Sequence, residues 1–230
     1  MIRTARLLTA TMVALAAVAG AAWAHGSGST AADLGFPRFD YEPPRPGTYA
    51  LPAIKPAADA HVVDAAGAPR RLHGLMGDRI VVVSFISTRC VDPQGCPLAT
   101  AVLHQIRAAA GRDPVLARRL RLVTVSFDLR NDSPAALGRY AGAARQESRG
   151  TSPWDFVVPT SERELTSLLE AYGQPVGLGD RTAPPTHLLR VYLIDAGRRI
   201  RNVYGLDFLD ARLLLADVRT LLLEEQGHRP

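Results

Sequence analysis

Two stretches decide the fold class before anything else is read. Residues 79–87, RIVVVSFIS, form an almost unbroken apolar run rich in β-branched side chains, and residues 119–128, RLRLVTVSFD, form a second. A strand with one face in water alternates apolar and polar side chains, whereas a strand apolar at nearly every position is covered on both faces. Helices supply such cover. After the first run, Leu98, Val102, Leu103 and Ile106 fall at helical spacing. After the second, Ser133-Pro134 offers a capping hydroxyl and a proline suited to a first helical position.

The rest of the chain continues the alternation. WDFVV at 154–158 predicts a third strand and 161–172 a helix. Residues 189–195 and 199–205 predict a hairpin turning at Ala196-Gly197, and 208–225 a final helix. This order predicts an α/β fold: a thioredoxin-like single domain with a central mixed sheet flanked by helices, spanning residues 60–226. About 165 residues suffice for one core. Residues 227–230 form a tail.

The chain opens differently. Arg3 and Arg6 precede an uncharged apolar run from Leu7, which ends in the small-x-small site Ala22-Trp23-Ala24, so residues 1–24 read as an export signal, or as a retained membrane anchor if uncleaved. Residues 25–59, rich in Gly, Ser and Pro, read as a linker or an extended arm wrapped on the domain. The expected location is periplasmic or otherwise outside the cytoplasm, where disulfides persist.

Composition excludes several functions. The net charge of +5 includes Arg3 and Arg6, and no basic block in the remainder fits a phosphate backbone, which argues against nucleic-acid binding. Three methionines do not make a Met-rich metal surface, and no His-Glu-x-x-His helix, Gly-rich phosphate loop or internal repeat is present.

The chemistry concentrates in TRCVDPQGCPLATAVLHQI, residues 88–106, which holds the two cysteines of the chain. Cys90 follows the first buried strand at the sheet's carboxyl end, where open α/β sheets bind ligands. Cys96 directly precedes Pro97 at the start of a helix, and unpaired N–H groups there favour a thiolate, so Cys96 is expected to ionise the more easily. Three roles are open to the pair: a structural disulfide, a thiol redox couple, or two ligands to a metal. A disulfide across so short a loop constrains the unfolded chain little, which favours the other two.

The segments SFISTRC…GCP, TVSFDLRND and THLLRVYLIDAGRRI together resemble the Sco (SenC-type) copper proteins, thioredoxin-fold assembly factors for cytochrome c oxidase, over roughly residues 60–226. The resemblance implies copper, as Cu(I) or Cu(II), held by two cysteines and one histidine. It maps these ligands onto Cys90, Cys96 and His187, with Tyr192 five residues and Asp195 eight residues beyond the histidine. The family's cysteines are usually three residues apart, and here Val91-Asp92-Pro93-Gln94-Gly95 separates them. Pro93 and Gly95 suit a tight turn that returns both sulfurs to one point. Asp92 is either a further oxygen ligand or, more plainly, a solvated turn residue. Asp128 and Asp132 match an Asp-x-x-x-Asp segment of the family and would stand just behind the site or face a partner. Their plainer roles are strand-end turn and helix cap.

Two thiolates and an imidazole suit Cu(I), a further weak ligand extends the set to Cu(II), and zinc accepts the same donors although a closed structural zinc site needs a fourth. His61, His73, His104 and His228 show no partner pattern, and His25 would chelate metal only as a new N-terminus.

The leading expectation is therefore an exported copper metallochaperone that serves, or prepares the cysteines of, the copper-site subunit of a respiratory oxidase, or another periplasmic copper or thiol protein. Membrane contact is expected only through the N-terminal segment. The alternative is a periplasmic thiol-disulfide oxidoreductase in which Cys90 or Cys96 forms the mixed disulfide without metal. A peroxidase of the same fold needs a Thr three residues before its cysteine, and Ser87 occupies that place.

Overall fold

The computed structural model describes residues 39–142, 152–177 and 186–228. The signal reading of residues 1–24, His25 and the start of the arm lie outside the described residues. In chain order the strands and helices are β1 (Lys55–Pro56), β2 (His61–Asp64), β3 (Pro69–Arg71), α1 (Leu72–Met76), β4 (Ile80–Ile86), α2 (Cys96–Ala110), α3 (Pro114–Arg119), β5 (Leu120–Ser126), α4 (Pro134–Tyr140) and β6 (Trp154–Pro159). There follow α5 (Glu162–Tyr172), β7 (Val176–Gly177), β8 (Thr186–His187), β9 (Val191–Ile194), β10 (Arg199–Tyr204), a 3-10 turn (Leu206–Phe208) and α6 (Ala211–Glu225).

Eight strands form one mixed sheet in the order β1-β10-β9-β4-β5-β6-β2-β3, and β7 and β8 pair separately. The pairs β4·β5 and β5·β6 are parallel, while β9 runs antiparallel to both β4 and β10.

All seven residues of β4 are buried, as the unbroken apolar run requires. Its side chains alternate between two cores. Ile80 and Val82 face one core with Leu98, Leu103 and Ile106 of α2 and Leu214, Val218 and Leu221 of α6. Val81, Val83 and Phe85 face the other, with Leu72 and Met76 of α1 and Leu165 and Leu168 of α5. Phe85 meets the rings of Tyr172 and Tyr192 edge-on, at 5.4 and 5.8 Å between centroids. Each fully buried aliphatic side chain contributes about 1.5–3 kcal/mol, so β4 with its neighbours is the energetic centre of the fold. The one polar residue in the run, Ser84, is satisfied by Thr124 Oγ1 at 2.9 Å.

Local chemistry sets the helix ends. Ser133 Oγ accepts the Ala136 N–H at the start of α4, and Ser161 Oγ accepts the Glu164 N–H at the start of α5. Helix α5 stops at Gly173, whose φ of 65° is the left-handed conformation that glycine adopts without strain. Before β2, the chain from Phe39 lies along the domain. Tyr49 donates its hydroxyl to the buried Asp217 of α6 at 2.5 Å, Leu51 is buried, and β1 pairs with β10. Among the described residues no helix is long and apolar enough to cross a membrane.

Candidate metal and thiol centre

Three separately held side chains meet at the carboxyl end of β4. The chain leaves β4 at Ile86, turns so that the Cys90 N–H meets the Ser87 carbonyl at 3.1 Å, loops through residues 91–95, and enters α2 at Cys96. Inside the loop, Asp92 accepts the Gln94 N–H on Oδ1 at 3.0 Å and the Gly95 N–H on its carbonyl at 3.0 Å. This Asx turn folds the two extra residues tightly enough to return the sulfurs to one place. His187 arrives from the separate β7·β8 ribbon, where it pairs with Val176, and its ring rests on Phe127 at 4.8 Å between centroids.

One sulfur from Cys90, one from Cys96 and one ring nitrogen from His187 lie within 4.8 Å of one another, the one such group of His, Cys, Asp and Glu among the described residues. Cys96 Sγ stands 3.8 Å from His187 Nε2, and both thiols are free. For bonds of the lengths that thiolate and imidazole make to zinc, sulfur and nitrogen on one ion stand about 3.6–3.8 Å apart. The three donors therefore fit a single soft or borderline ion with little movement. Asp92 stands outside the group, its carboxylate spent on the turn. His61, beside Arg71 and Glu164, and His73, bonded to the Ala57 carbonyl, are likewise outside it.

The electrostatics reverse one sequence expectation. The Cys90 thiol is lowered to about 6, first because the Cys96 thiol donates a hydrogen bond to its sulfur, and further because the backbone N–H groups of Cys96 and Asp92 point at it against the penalty of partial burial. Cys96 is raised instead, because its proton is held against the Cys90 sulfur and its own sulfur is buried. The helix N-terminus does favour a thiolate, but the amide of Cys96 serves the sulfur of Cys90. Cys96 Sγ has the Ser87 N–H at 3.5 Å. Burial lowers the His187 pKa against the opposing influence of Asp92, which keeps the imidazole neutral and its lone pair free.

Behind the site, Asp128 and Asp132 are buried at 4% and 1% exposure. Asp132 Oδ2 accepts the Thr88 N–H at 2.9 Å and the Ser126 hydroxyl at 2.6 Å, and Oδ1 accepts the Thr88 hydroxyl. Asp128 Oδ2 accepts the Ser87 hydroxyl at 3.1 Å, and the Asn131 amide donates to both its oxygens. The two carboxylates thus grip the turn that presents Cys90. The cap of α4 is Ser133, so Asp132 does not fill the helix-cap role. Gln174 has no signature in the sequence: buried, it donates to the Leu188 carbonyl at 2.7 Å and accepts from Tyr192 at 3.1 Å, fixing the strand entry just after His187.

Residues 57–223 match the SCO1/SenC family model. The chain belongs to the SCO1/SenC family. Solved structures share the fold at low identity. A SCO1/SenC family lipoprotein from Bacillus anthracis aligns with a TM-score of 0.62 at 18% identity, covering 73% of this chain and 95% of that one. ScoI of Arabidopsis thaliana, solved with copper bound, aligns with a TM-score of 0.57 at 18% identity, covering 73% and 98%. BsSco, a member of the Sco family of cytochrome c oxidase assembly proteins in which a disulfide switch was identified, aligns with a TM-score of 0.60 at 18% identity, covering 75% and 98%. No curated protein matches the chain. The mixed sheet flanked by helices is thus the thioredoxin-like fold of the Sco proteins.

Proposed function

We propose that this protein is an exported copper carrier that binds the ion through Cys90, Cys96 and His187 and passes it to the copper site of a respiratory oxidase. The observation that carries this reading is the convergence of two sulfurs and a neutral imidazole within 4.8 Å, from three chain segments, on one side of a family fold. Soft sulfur donors select copper, and three protein donors leave a position through which an incoming ligand can displace the ion. Copper in the Arabidopsis relative and the assembly role of the BsSco family support cargo and destination alike. The lipoprotein nature of the Bacillus anthracis relative supports export, for which residues 1–24 are the signal or anchor, 25–59 the arm and 60–226 the carrier domain. Asp128 and Asp132 hold the Cys90 turn in register.

The thiol pair favours a second activity. Cys90, the stronger acid, attacks a partner disulfide as the thiolate, forming a Cys90–partner bond and releasing one partner thiolate. Cys96 then loses its proton and attacks Cys90 sulfur, releasing the second partner thiol. The partner gains two electrons and the carrier keeps a Cys90–Cys96 disulfide. Such a step prepares oxidase cysteines for metal.

Anaerobic copper titration of the reduced protein, read by X-ray absorption, tests the main reading. Two sulfur and one nitrogen neighbours per bound ion are expected, and His187→Ala should lose copper while retaining disulfide reduction. A His187→Ala protein that keeps full copper affinity but no longer reduces partner disulfides reverses the order of the two activities.

A further inference from the structure

His187 of the centre lines a depression of about 850 Å³. Its lining brings together His187, Tyr192 and Val203 of the sheet, and Lys55, Gly173 and Arg190. Two features mark it as more than a surface irregularity.

The first is apolar exposure. Five large apolar side chains are exposed among the described residues: Ile54, Val91, Val115, Leu188 and Phe208. Ile54 and Leu188 line the depression, and Val91 and Phe208 are the sequence neighbours of its lining residues Asp92 and Asp207. Val115 lies apart, on α3. Exposed apolar side chains scattered singly need no explanation, but two lining one opening together with His187 mark a contact surface.

The second is charge. A Cβ built on Gly173 would lie 3.7 Å from Lys55 Nζ and 3.8 Å from Arg190 Nη1, so two basic ends converge at one point. Arg190 donates to the Gly173 carbonyl at the end of α5, as a cation at a helix C-terminus does. Neither Lys55 nor Arg190 has an acidic partner among the described residues, and Lys55 is the sole lysine of the chain. Two cations that converge without an acidic partner match a carboxylate.

We infer that the depression is the seat of the protein that accepts the metal. That protein lays an extended segment along the sheet face, with an apolar side chain against Ile54 and Leu188 and a carboxylate against Lys55 and Arg190, so that its own ligands reach the centre beside His187. The inference rests on the carrier reading and adds the partner's contact chemistry to it.

The test uses the full-length reduced, copper-free protein and, as probe, the soluble copper-site domain of the oxidase from the same organism. Binding is measured by calorimetry for the native chain and for Lys55→Glu, Leu188→Asp and Val115→Asp. Lys55→Glu and Leu188→Asp should each weaken binding by about tenfold or more, and Val115→Asp should leave it unchanged. Native binding that both groove variants keep, or no native binding at all, overturns the inference. A carrier dimer in sedimentation that Leu188→Asp dissolves overturns it too, because the occupant is then a second copy. A separate copper titration of each variant keeps the carrier reading distinct: if the native chain binds no copper, that reading fails whatever the docking result.

Discussion

Asp132 holds Thr88 by two bonds at once, its Oδ2 accepting the backbone N–H at 2.9 Å and its Oδ1 accepting the hydroxyl, across 44 residues of sequence. Because Cys90 lies two residues further on, the position of its sulfur depends on a carboxylate that never reaches the metal. Asp132→Ala strands buried donors of Thr88 and Ser126 and is expected to lower stability by about 3 kcal/mol in denaturant titration. Copper affinity should fall by about 10–100-fold in chelator competition, the usual effect of removing a residue that orients a ligand. Unaltered affinity in a folded Asp132→Ala protein would show that the turn keeps its shape unaided.

The thiols should titrate unequally. Alkylation of Cys90 by iodoacetamide is expected to have its midpoint near pH 6, while Cys96 stays protected. Since the hydrogen bond from Cys96 is the largest influence, Cys96→Ala, which removes the donor, should move the midpoint upward. The folded state holds the Cys90 thiolate better than the unfolded chain does. Its contribution to stability is therefore full above the ordinary thiol pKa of about 8.5 and is lost as pH falls toward about 6. The melting-temperature gap between the reduced native chain and Cys90→Ser should shrink over that interval. A gap that widens on acidification would contradict the assignment.

Gly95 sits against the site for a steric reason. A Cβ there would approach Cys90 Sγ to 3.2 Å and the Asp92 carbonyl to 3.4 Å, so Gly95→Ala displaces the sulfur by a few tenths of an ångström. Copper affinity is expected to drop by about tenfold while unfolding shifts by about 1 kcal/mol or less. Equal losses in both measurements would locate the damage in the start of α2 instead.

The arm is pinned by a buried carboxylate. Asp217 accepts hydrogen bonds from Tyr49, Tyr204 and Asn202, and only the first comes from the arm. Tyr49→Phe should free the arm by about 1–2 kcal/mol, seen as roughly 5–30-fold faster hydrogen exchange at the Ile54 and Ala57 amides, which bond to β10 and the hairpin turn. The amides of β4 and β5 should exchange as before. Acceleration spread evenly over the whole sheet would mean that the arm and the core unfold together.

The long elements were legible because their burial writes itself into composition. β4 and β5, covered on both faces, appear as apolar runs, and α4 announces itself by Ser133-Pro134. Strands β1, β3, β7 and β8, two or three residues each, are too short to show any period. The site divides in the same way. Cys90 and Cys96 stand six positions apart and invite attention, whereas the place of His187 depends on a ribbon and on Gln174, neither of which has a local signature. The acidity of the two thiols was misread because a helix terminus was assigned to the residue that begins it, while its amide points at a neighbour.

The two outermost strands of the eight-stranded sheet are β1, Lys55–Pro56, and β3, Pro69–Arg71. Each combines a proline, which has no amide to donate, with cationic side chains, and that pairing discourages edge-to-edge stacking with another molecule. On the β10 side the guard belongs to the arm and not to the domain. A shortened chain beginning at residue 60 would leave the hydrogen-bonding row of β10 bare, and that row is a template on which chains could polymerise.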